Sequence, residues 1–227
     1  MQAIVIATVN AKCLVTMAAS ITEYVPRDIP IYLSGCKMIF PRHQTILLEN
    51  TGKNFGEAYN EVCKLAFQKH EEIVVCNDDI VFTPSTWQTL SEDVSRLKGE
   101  NIPLGWVACR SDYARIPQNI RVGNGGKLRW FRWEIENDLI KSDVIAPICA
   151  WISKEAWVDF LPLNWFSDDV QCHDMAKKGL THWVSRAYVH HVGSQTCGFD
   201  ATNLIESAKP VIKEHRPELY KKWFKKS

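Results

Sequence analysis

The stretch EEIVVCNDDIVFTP, residues 71 to 84, decides how this chain is read. Its apolar run, residues 73–76, is short, unbroken and rich in β-branched side chains, which suits a strand buried on both faces of a mostly parallel sheet. Asn77-Asp78-Asp79 follows at once. Open α/β sheets bind ligands just past the carboxyl ends of their strands, so the polar triplet falls where chemistry is expected. Two adjacent carboxylates there repel each other unless a cation or a donor-rich ligand lies against them. Such oxygen ligands suit a hard divalent cation that also holds phosphate oxygens. The competing reading is an Asx-turn leading into a helix that starts near residues 83–85.

The flanking sequence repeats this logic. Residues 3–9, AIVIATV, read as a first buried strand ending at Asn10. Residues 12–24 then carry Leu14, Ala18 and Ile21 at helical spacing, continued by Val25. Pro26 and Pro30 bracket a turn before a second strand at 31–33, ended by Ser34-Gly35, and residues 45–48 read as a third. NTGKNFGEAYNEVCKLAFQKH passes from a glycine-bearing loop into a helix with Ala58, Val62, Leu65 and Ala66 on one face. Strand, helix, strand, strand, helix, strand is the rhythm of a Rossmann-like α/β half. Downstream, the pattern predicts a helix at 85–97, a fifth strand at 104–109 and an extended run at 144–152. Helices follow at 154–160 and 169–178, the latter capped by Gly179, and a final extended run covers 181–190. Residues 110–140, with Pro117, Gly123, Gly125, Gly126, Trp130, Phe131 and Trp133, lack clean periodicity, as functional or mobile segments do. No repeat or linker divides the chain, so one domain over 1–227 is expected.

Composition excludes several classes. A formal charge of +1 carries no global nucleic-acid or membrane signature. The charge is uneven, however. KEHRPELYKKWFKKS at the end holds Lys213, Arg216, Lys221, Lys222, Lys225 and Lys226 against two glutamates. Its pattern predicts an amphipathic helix with Leu219 and Trp223 inward, the alternative being contact with an anionic partner. The eight cysteines are scattered, and Cys13, Cys63, Cys76, Cys109 and Cys149 sit in apolar contexts where a reduced thiol is a small hydrophobe. There is no signal-peptide pattern, no apolar run long enough to span a bilayer and no glycosylation sequon. A soluble protein of the reducing cytoplasm, without membrane insertion, is expected.

A second polar cluster lies in FSDDVQCHDMAKKGLTHWVSRAYVHHVGSQT, residues 166–196. Ser167 is placed to cap a helix whose first turn holds Asp168 and Asp169, where the helix dipole favours carboxylates. His190-His191 ends a strand, and adjacent strand residues face opposite ways, so one of the two can enter a site. His190, His191, His182 and Cys197 also offer zinc-type ligands, without finger-like spacing.

Taken in order, the strand-end Asn-Asp-Asp, AWISKEAW, the Asp-Asp opening a helix that Gly179 ends, and the histidine with Gly193-Ser194 resemble a nucleotide-sugar glycosyltransferase of the GT-A fold, most similar to the family 2 type. ENTGKNFGEAYNEVCKLA resembles that family's segment of asparagines and glycine ahead of a helix. The resemblance covers roughly residues 1–195 and implies an α/β, Rossmann-like GT-A fold with a mostly parallel central sheet. It also implies a nucleotide-sugar half (1–109), an acceptor and catalytic half (110–200) and a helical basic tail (201–227).

Residue by residue, Asn77-Asp78-Asp79 takes the place of the family's Asp-x-Asp metal motif. Its first position departs from the pattern, which puts the weight on Asp79. Asp169 matches the second acid of the family's Glu-Asp pair, which implies the general base, with Asp168 in the glutamate's place on the acceptor side. His191 matches the histidine that helps hold the metal and diphosphate, with His190 its rival. Thr8, Asn10, Asn50 and Asn60, with Asn77 and Asp78, match positions around the donor nucleotide, and Trp151 offers an apolar wall for sugar or acceptor.

The implied reaction is metal-dependent, inverting transfer, with Mn²⁺ or Mg²⁺ as cofactor and a UDP-sugar first among donors. The acceptor is a hydroxyl of a glycan, of a protein, or of a hydroxymethylated base in DNA, which an enzyme would have to flip and stack. The alternatives are a catalytically inactive nucleotide-sugar-binding protein, which the Asn77 departure permits, and a zinc-stabilised interaction module.

Overall fold

The computed structural model describes residues 1–8, 11–49, 51–115, 117–122, 130–131, 138–193 and 200–225. Asn10, Asn50, Trp133, Ser194, Cys197 and Lys226 therefore lie outside the described residues.

Four parallel strands open the molecule: β1 (Ile4–Ala7), β2 (Ile31–Ser34), β3 (Thr45–Leu48) and β4 (Glu72–Cys76), in the order β3-β2-β1-β4. Beyond β4 the sheet continues through β10 (Cys149–Ser153), β6 (Leu104–Ser111), β11 (Thr181–His191) and β5 (Ile80–Phe82), with β9 (Ile140–Ser142) pairing β11 off that path. This makes nine strands. β10 runs antiparallel to both neighbours, β11 runs parallel to β6, and β5 and β9 run antiparallel to β11. Consequently β1, β2, β3, β4, β6 and β11 all point their carboxyl ends to one edge. A separate ribbon joins β7 (Arg121–Val122) to β8 (Trp130–Phe131).

Strand alternation divides the core into two. Ile4, Ile6, Val74, Cys76, Val107, Cys109, Cys149 and Trp151 face α1 (Leu14–Tyr24) and α3 (Thr86–Gly99), contributing to one buried cluster with Met17, Ile21, Leu90 and Val94. Val5, Ile73, Val75, Trp106, Ala108, Ala150 and Ile152 face α2 (Phe55–Ala66) and α4 (Ser167–Lys177), with Val62, Cys63, Cys172 and Met175. The period of two along each strand, apolar on both faces, is what a sheet covered by helices on both sides requires.

A third cluster holds the end of the chain. α5 (Thr202–His215) and α6 (Pro217–Phe224) bury Ala208, Ile212 and Leu219 against Leu163 and Val170. The tail is two helices rather than the expected single one. Arg216 leaves helical geometry (φ −143°, ψ 67°) before Pro217, as residues preceding proline tend to do. Leu219 is buried and Trp223 partly so, as the amphipathic pattern predicts.

Two expectations are corrected. Residues 154–160 form a turn and an extended connection, not a helix. Asn60 on α2 captures the Phe160 backbone through both ends of its amide, accepting from Phe160 N at 2.8 Å and donating to Phe160 O at 2.9 Å. Ser167 does not cap α4: its hydroxyl donates to Leu161 O at 2.6 Å, and the cap position falls on Phe166, in the left-handed region at φ 67°. Gly179, at φ +82°, ends α4 as expected. No helix among the described residues is long and apolar enough to cross a membrane.

Candidate active site

The site is built where β1, β4, β6 and β11 end. β4 stops at Cys76, whose carbonyl accepts from the buried Tyr59 hydroxyl at 2.7 Å, and Asn77 N donates to Ile148 O at 2.9 Å. These bonds fix the start of the acidic turn. Thr8, at the end of β1, donates to Asp78 Oδ2 at 2.5 Å. Gly35 lets the end of β2 pass against this residue, since a Cβ there would lie 1.9 Å from Thr8 O. Burial raises the Asp78 pKa, and the charge of Asp79 adds to that, while the Thr8 hydrogen bond opposes it. The net direction is upward.

Asp79 turns the other way, toward the end of β11. Val192 N donates to its carbonyl at 3.1 Å, Gly193 N to Oδ2 at 3.1 Å, and His191 Nε2 lies 3.0 Å from Oδ1. β5, only three residues long, antiparallel to β11 and opposite His191 through Ile80, is what brings these groups together. His191 Nδ1 contacts Tyr113 O at 2.5 Å. With one ring nitrogen held by a backbone carbonyl, the imidazole is oriented so that Nε2 faces Asp79. Burial works against protonating His191, but the hydrogen bond and charge of Asp79, with the Tyr113 carbonyl, outweigh it and raise the pKa.

Of the two histidines, therefore, His191 meets Asp79, and the half-exposed His190 points away, its Nδ1 2.8 Å from Asp112 Oδ2. Asp112 Oδ1 also accepts from His191 N at 3.0 Å. Gly193 sits at φ +73° under the Tyr113 ring, and a Cβ there would meet the ring at 2.1 Å.

The second carboxylate pair opens α4. Arg115 Nη2 donates to Asp168 Oδ2 at 2.8 Å and to Asp169 Oδ2 at 2.5 Å. Burial and the neighbouring Asp168 charge push Asp169 up to about 6 despite that guanidinium. Arg115 itself is shifted upward: burial opposes its charge, and the two carboxylates more than restore it. Phe166, which sets the direction of α4's first turn, stacks on Trp223 (centroids 5.4 Å, 22°) and meets Phe224 edge-on. Arg216 donates to both oxygens of Asp174 on α4, and Lys177 reaches Glu218 at 2.6 Å, so the tail is clamped along this helix.

Residues 112–115 join the two pairs. Asp112 and Tyr113 hold the histidines, and Arg115 holds the α4 carboxylates. Two residues of chain span at most about 7 Å. Asp112, Tyr113 and Arg115 were not singled out from sequence, because they lie in the aperiodic segment and act only through distant partners.

Three sequence-predicted residues fall elsewhere. Trp151 is 1% exposed on the α1/α3 face, with its indole N–H donating to Glu72 at the opposite end of β4 and Lys98 over its ring. It packs the sheet and does not wall the site, because strand parity turns it away from α4. Asn60 spends its amide on Phe160, positioning the connection that leads to α4. His182 accepts from Trp106 N at 3.0 Å and its Nε2 lies 3.1 Å from Cys172 O, so both ring nitrogens are committed in the core and it leaves the zinc set. Among the described residues no three His, Cys, Asp or Glu side chains form a metal shell by themselves.

No protein-family model matches this sequence, and no curated protein matches it. Solved structures do. S. aureus TarS (residues 1–349) in complex with UDP-GlcNAc superposes with a TM-score of 0.62 over 94% of this chain, at 10% identity. The fold is GT-A-like. GalNAc-T7 with UDP, GalNAc and Mn²⁺ gives a TM-score of 0.63 over the same 94%, again at 10% identity. The chain spans 66% of that TarS chain and 47% of GalNAc-T7. At such identities the likeness is one of fold alone.

Proposed function

We propose that this chain is a metal-dependent, inverting glycosyltransferase that moves a sugar from a UDP-sugar to a hydroxyl acceptor. The observation that carries this reading is the meeting of Asp79 Oδ1 and His191 Nε2 at 3.0 Å on the carboxyl edge of a GT-A-like sheet. One carboxylate and one imidazole are two ligands, too few for a dedicated protein cage. Mg²⁺-type sites of this kind are completed by substrate phosphates, so the donor set fits a cation that arrives with a diphosphate. Mn²⁺ or Mg²⁺ would there neutralise charge on the departing diphosphate.

The remaining work belongs to the chain. Asp78, Thr8 and Asn77, beside the cation ligands, would face the donor. Asp169 would take the proton of the acceptor hydroxyl as that oxygen bonds the anomeric carbon. The bond to the diphosphate breaks on the opposite side with its electron pair leaving on oxygen, which inverts the centre. A carboxyl held near 6 is a better proton acceptor than an ordinary aspartate and still ionised at neutral pH. Asp168, sharing Arg115, would lie on the acceptor side.

Residues 1–109 would then bind donor and 110–200 acceptor, with 201–227 bracing α4, in one domain. The seven described cysteines are all free, which supports a reducing, cytoplasmic setting.

The test is transfer from a panel of UDP-sugars in Mn²⁺ or Mg²⁺, to glycan acceptors and to hydroxymethylated DNA. Turnover that chelator abolishes supports the reading. Donor-dependent thermal stabilisation without any turnover favours the inactive binder, since a bound ligand stabilises by mass action.

A further inference from the structure

We propose that Arg115 is the positioning residue of the base: it divides one guanidinium nitrogen between Asp168 and Asp169, keeping Asp169 ionised in a fixed rotamer. The inference rests on the glycosyltransferase reading for the role of Asp169, and on geometry for the rest. Nη2 carries two N–H groups, and its two contacts, 2.8 Å to Asp168 Oδ2 and 2.5 Å to Asp169 Oδ2, use one each. Sharing one nitrogen holds the two carboxylates close together. Burying such a pair without a cation would force a proton onto one of them.

Among the described residues, few groups face Asp169. On its own helix these are Asp168 and, one turn on, the buried Cys172 thiol. From the connection after β6 it is Arg115. The other titratable groups along α4 are engaged with the tail helices, His173 and Lys177 with Glu218 and Asp174 with Arg216. Among the described residues Arg115 is thus the cation in contact with the pair, and burial and Asp168 act against it. Its backbone also fixes the geometry. Arg115 is two residues from Tyr113, whose carbonyl holds His191, so a shift of this connection moves both halves of the site together.

The experiment removes or keeps the positive charge. Arg115→Gln removes it together with the reach of the guanidinium, and Arg115→Lys retains it. In the intact chain, ¹³C-carboxyl NMR titration of labelled aspartates reads the Asp169 midpoint directly. The expected result is a rise of about 1–3 pH units in Arg115→Gln, the size of effect one adjacent opposite charge exerts, with Arg115→Lys near wild type. The acidic limb of the kcat profile should move up by the same amount, with turnover recovering at high pH and donor KM unchanged. An unmoved Asp169 midpoint in Arg115→Gln overturns the inference, as does a kcat loss of equal size at every pH. Should Arg115→Gln fail to fold, Asp168→Asn reads the same triad, and the Asp169 midpoint must then fall. Because the titration needs no turnover, a shifted midpoint in a protein inactive with every donor sinks the glycosyltransferase reading and leaves the Arg115 assignment standing.

Discussion

Two Asp-Asp pairs carry the candidate site, and the same dipeptide is put to opposite uses. At the end of β4, Asp78 and Asp79 diverge: the carboxylate of one accepts from the Thr8 hydroxyl, and that of the other faces an imidazole and the Gly193 amide. Among the described residues neither of these carboxylates is paired with a guanidinium or ammonium group. At the start of α4, Asp168 and Asp169 converge on Arg115, a permanent cation. A carboxylate that keeps its own counter-ion can exchange a proton without disturbing a metal. Sequence alone makes the pairs look alike; their partners, all more than fifty residues away, make them different.

The largest expected effect breaks the first pair. Asp79→Ala removes a proposed cation ligand together with the acceptor for Gly193 N. Losing several kcal/mol of charge stabilisation corresponds to roughly 10³-fold or more in turnover, along with Mn²⁺-dependent nucleotide binding. Circular dichroism should be unchanged, since the residue lies on a turn and not in the core. Calorimetric titration that finds nucleotide affinity still Mn²⁺-dependent in this variant would remove Asp79 from the site.

Breaking the second pair should cost rate but not binding. Asp169→Asn keeps volume and removes the proton acceptor, so kcat should fall about 10²–10⁴-fold while donor affinity persists. In the wild type, kcat should rise through a pH of about 6 as Asp169 loses its proton. Below that pH the carboxyl is occupied and cannot accept. A collapse of donor affinity with normal saturated turnover would make Asp169 a donor ligand, and the contrast between the pairs would disappear.

These contrasts were only partly legible. The parallel half of the sheet, β1 to β4 with α1 and α2, follows from short β-branched runs alternating with helical spacing, a signal that local sequence carries. β5 does not, because three residues after a polar turn have no periodicity of their own and gain a partner only from β11, more than a hundred positions on. Residues 154–160 show apolar residues at helix-like intervals, yet Asn60 competes for the backbone and wins. Trp151 was misplaced because Cys149, Ala150, Trp151 and Ile152 are all apolar, so the sequence does not say which face is which. Arg115 had no local signal at all.

A smaller effect comes from the brace behind α4. A bulky residue in the left-handed region is strained, and Phe166 is held there against Trp223 and Phe224. Trp223→Ala should lower stability by about 1–3 kcal/mol for a partly buried aromatic. It should also reduce kcat several-fold through Asp168 and Asp169, without changing Mn²⁺-dependent nucleotide binding. Equal losses in both readouts would mean that the tail supports the whole sheet and not the α4 pair in particular.

The smallest expected effect lies at the surface, and it decides between acceptors. Of the tail's cations, Arg216 is committed to Asp174, whereas Lys213, Lys221, Lys222 and Lys225 are exposed. Lys213 extends over the Tyr220 ring and so covers apolar surface as much as it projects charge. Replacing Lys213, Lys221, Lys222 and Lys225 by glutamine should leave fold and glycan transfer within about two-fold, because solvated charges contribute little to stability. If hydroxymethylated DNA is the acceptor, the same variant must lose affinity and show a flatter salt dependence, since each lysine–phosphate contact releases a counter-ion. Filter binding of duplex and single-stranded DNA between low and moderate salt reads this directly. Absence of binding by the wild type at low salt would assign the tail to bracing α4 alone and leave a glycan or a protein as the acceptor.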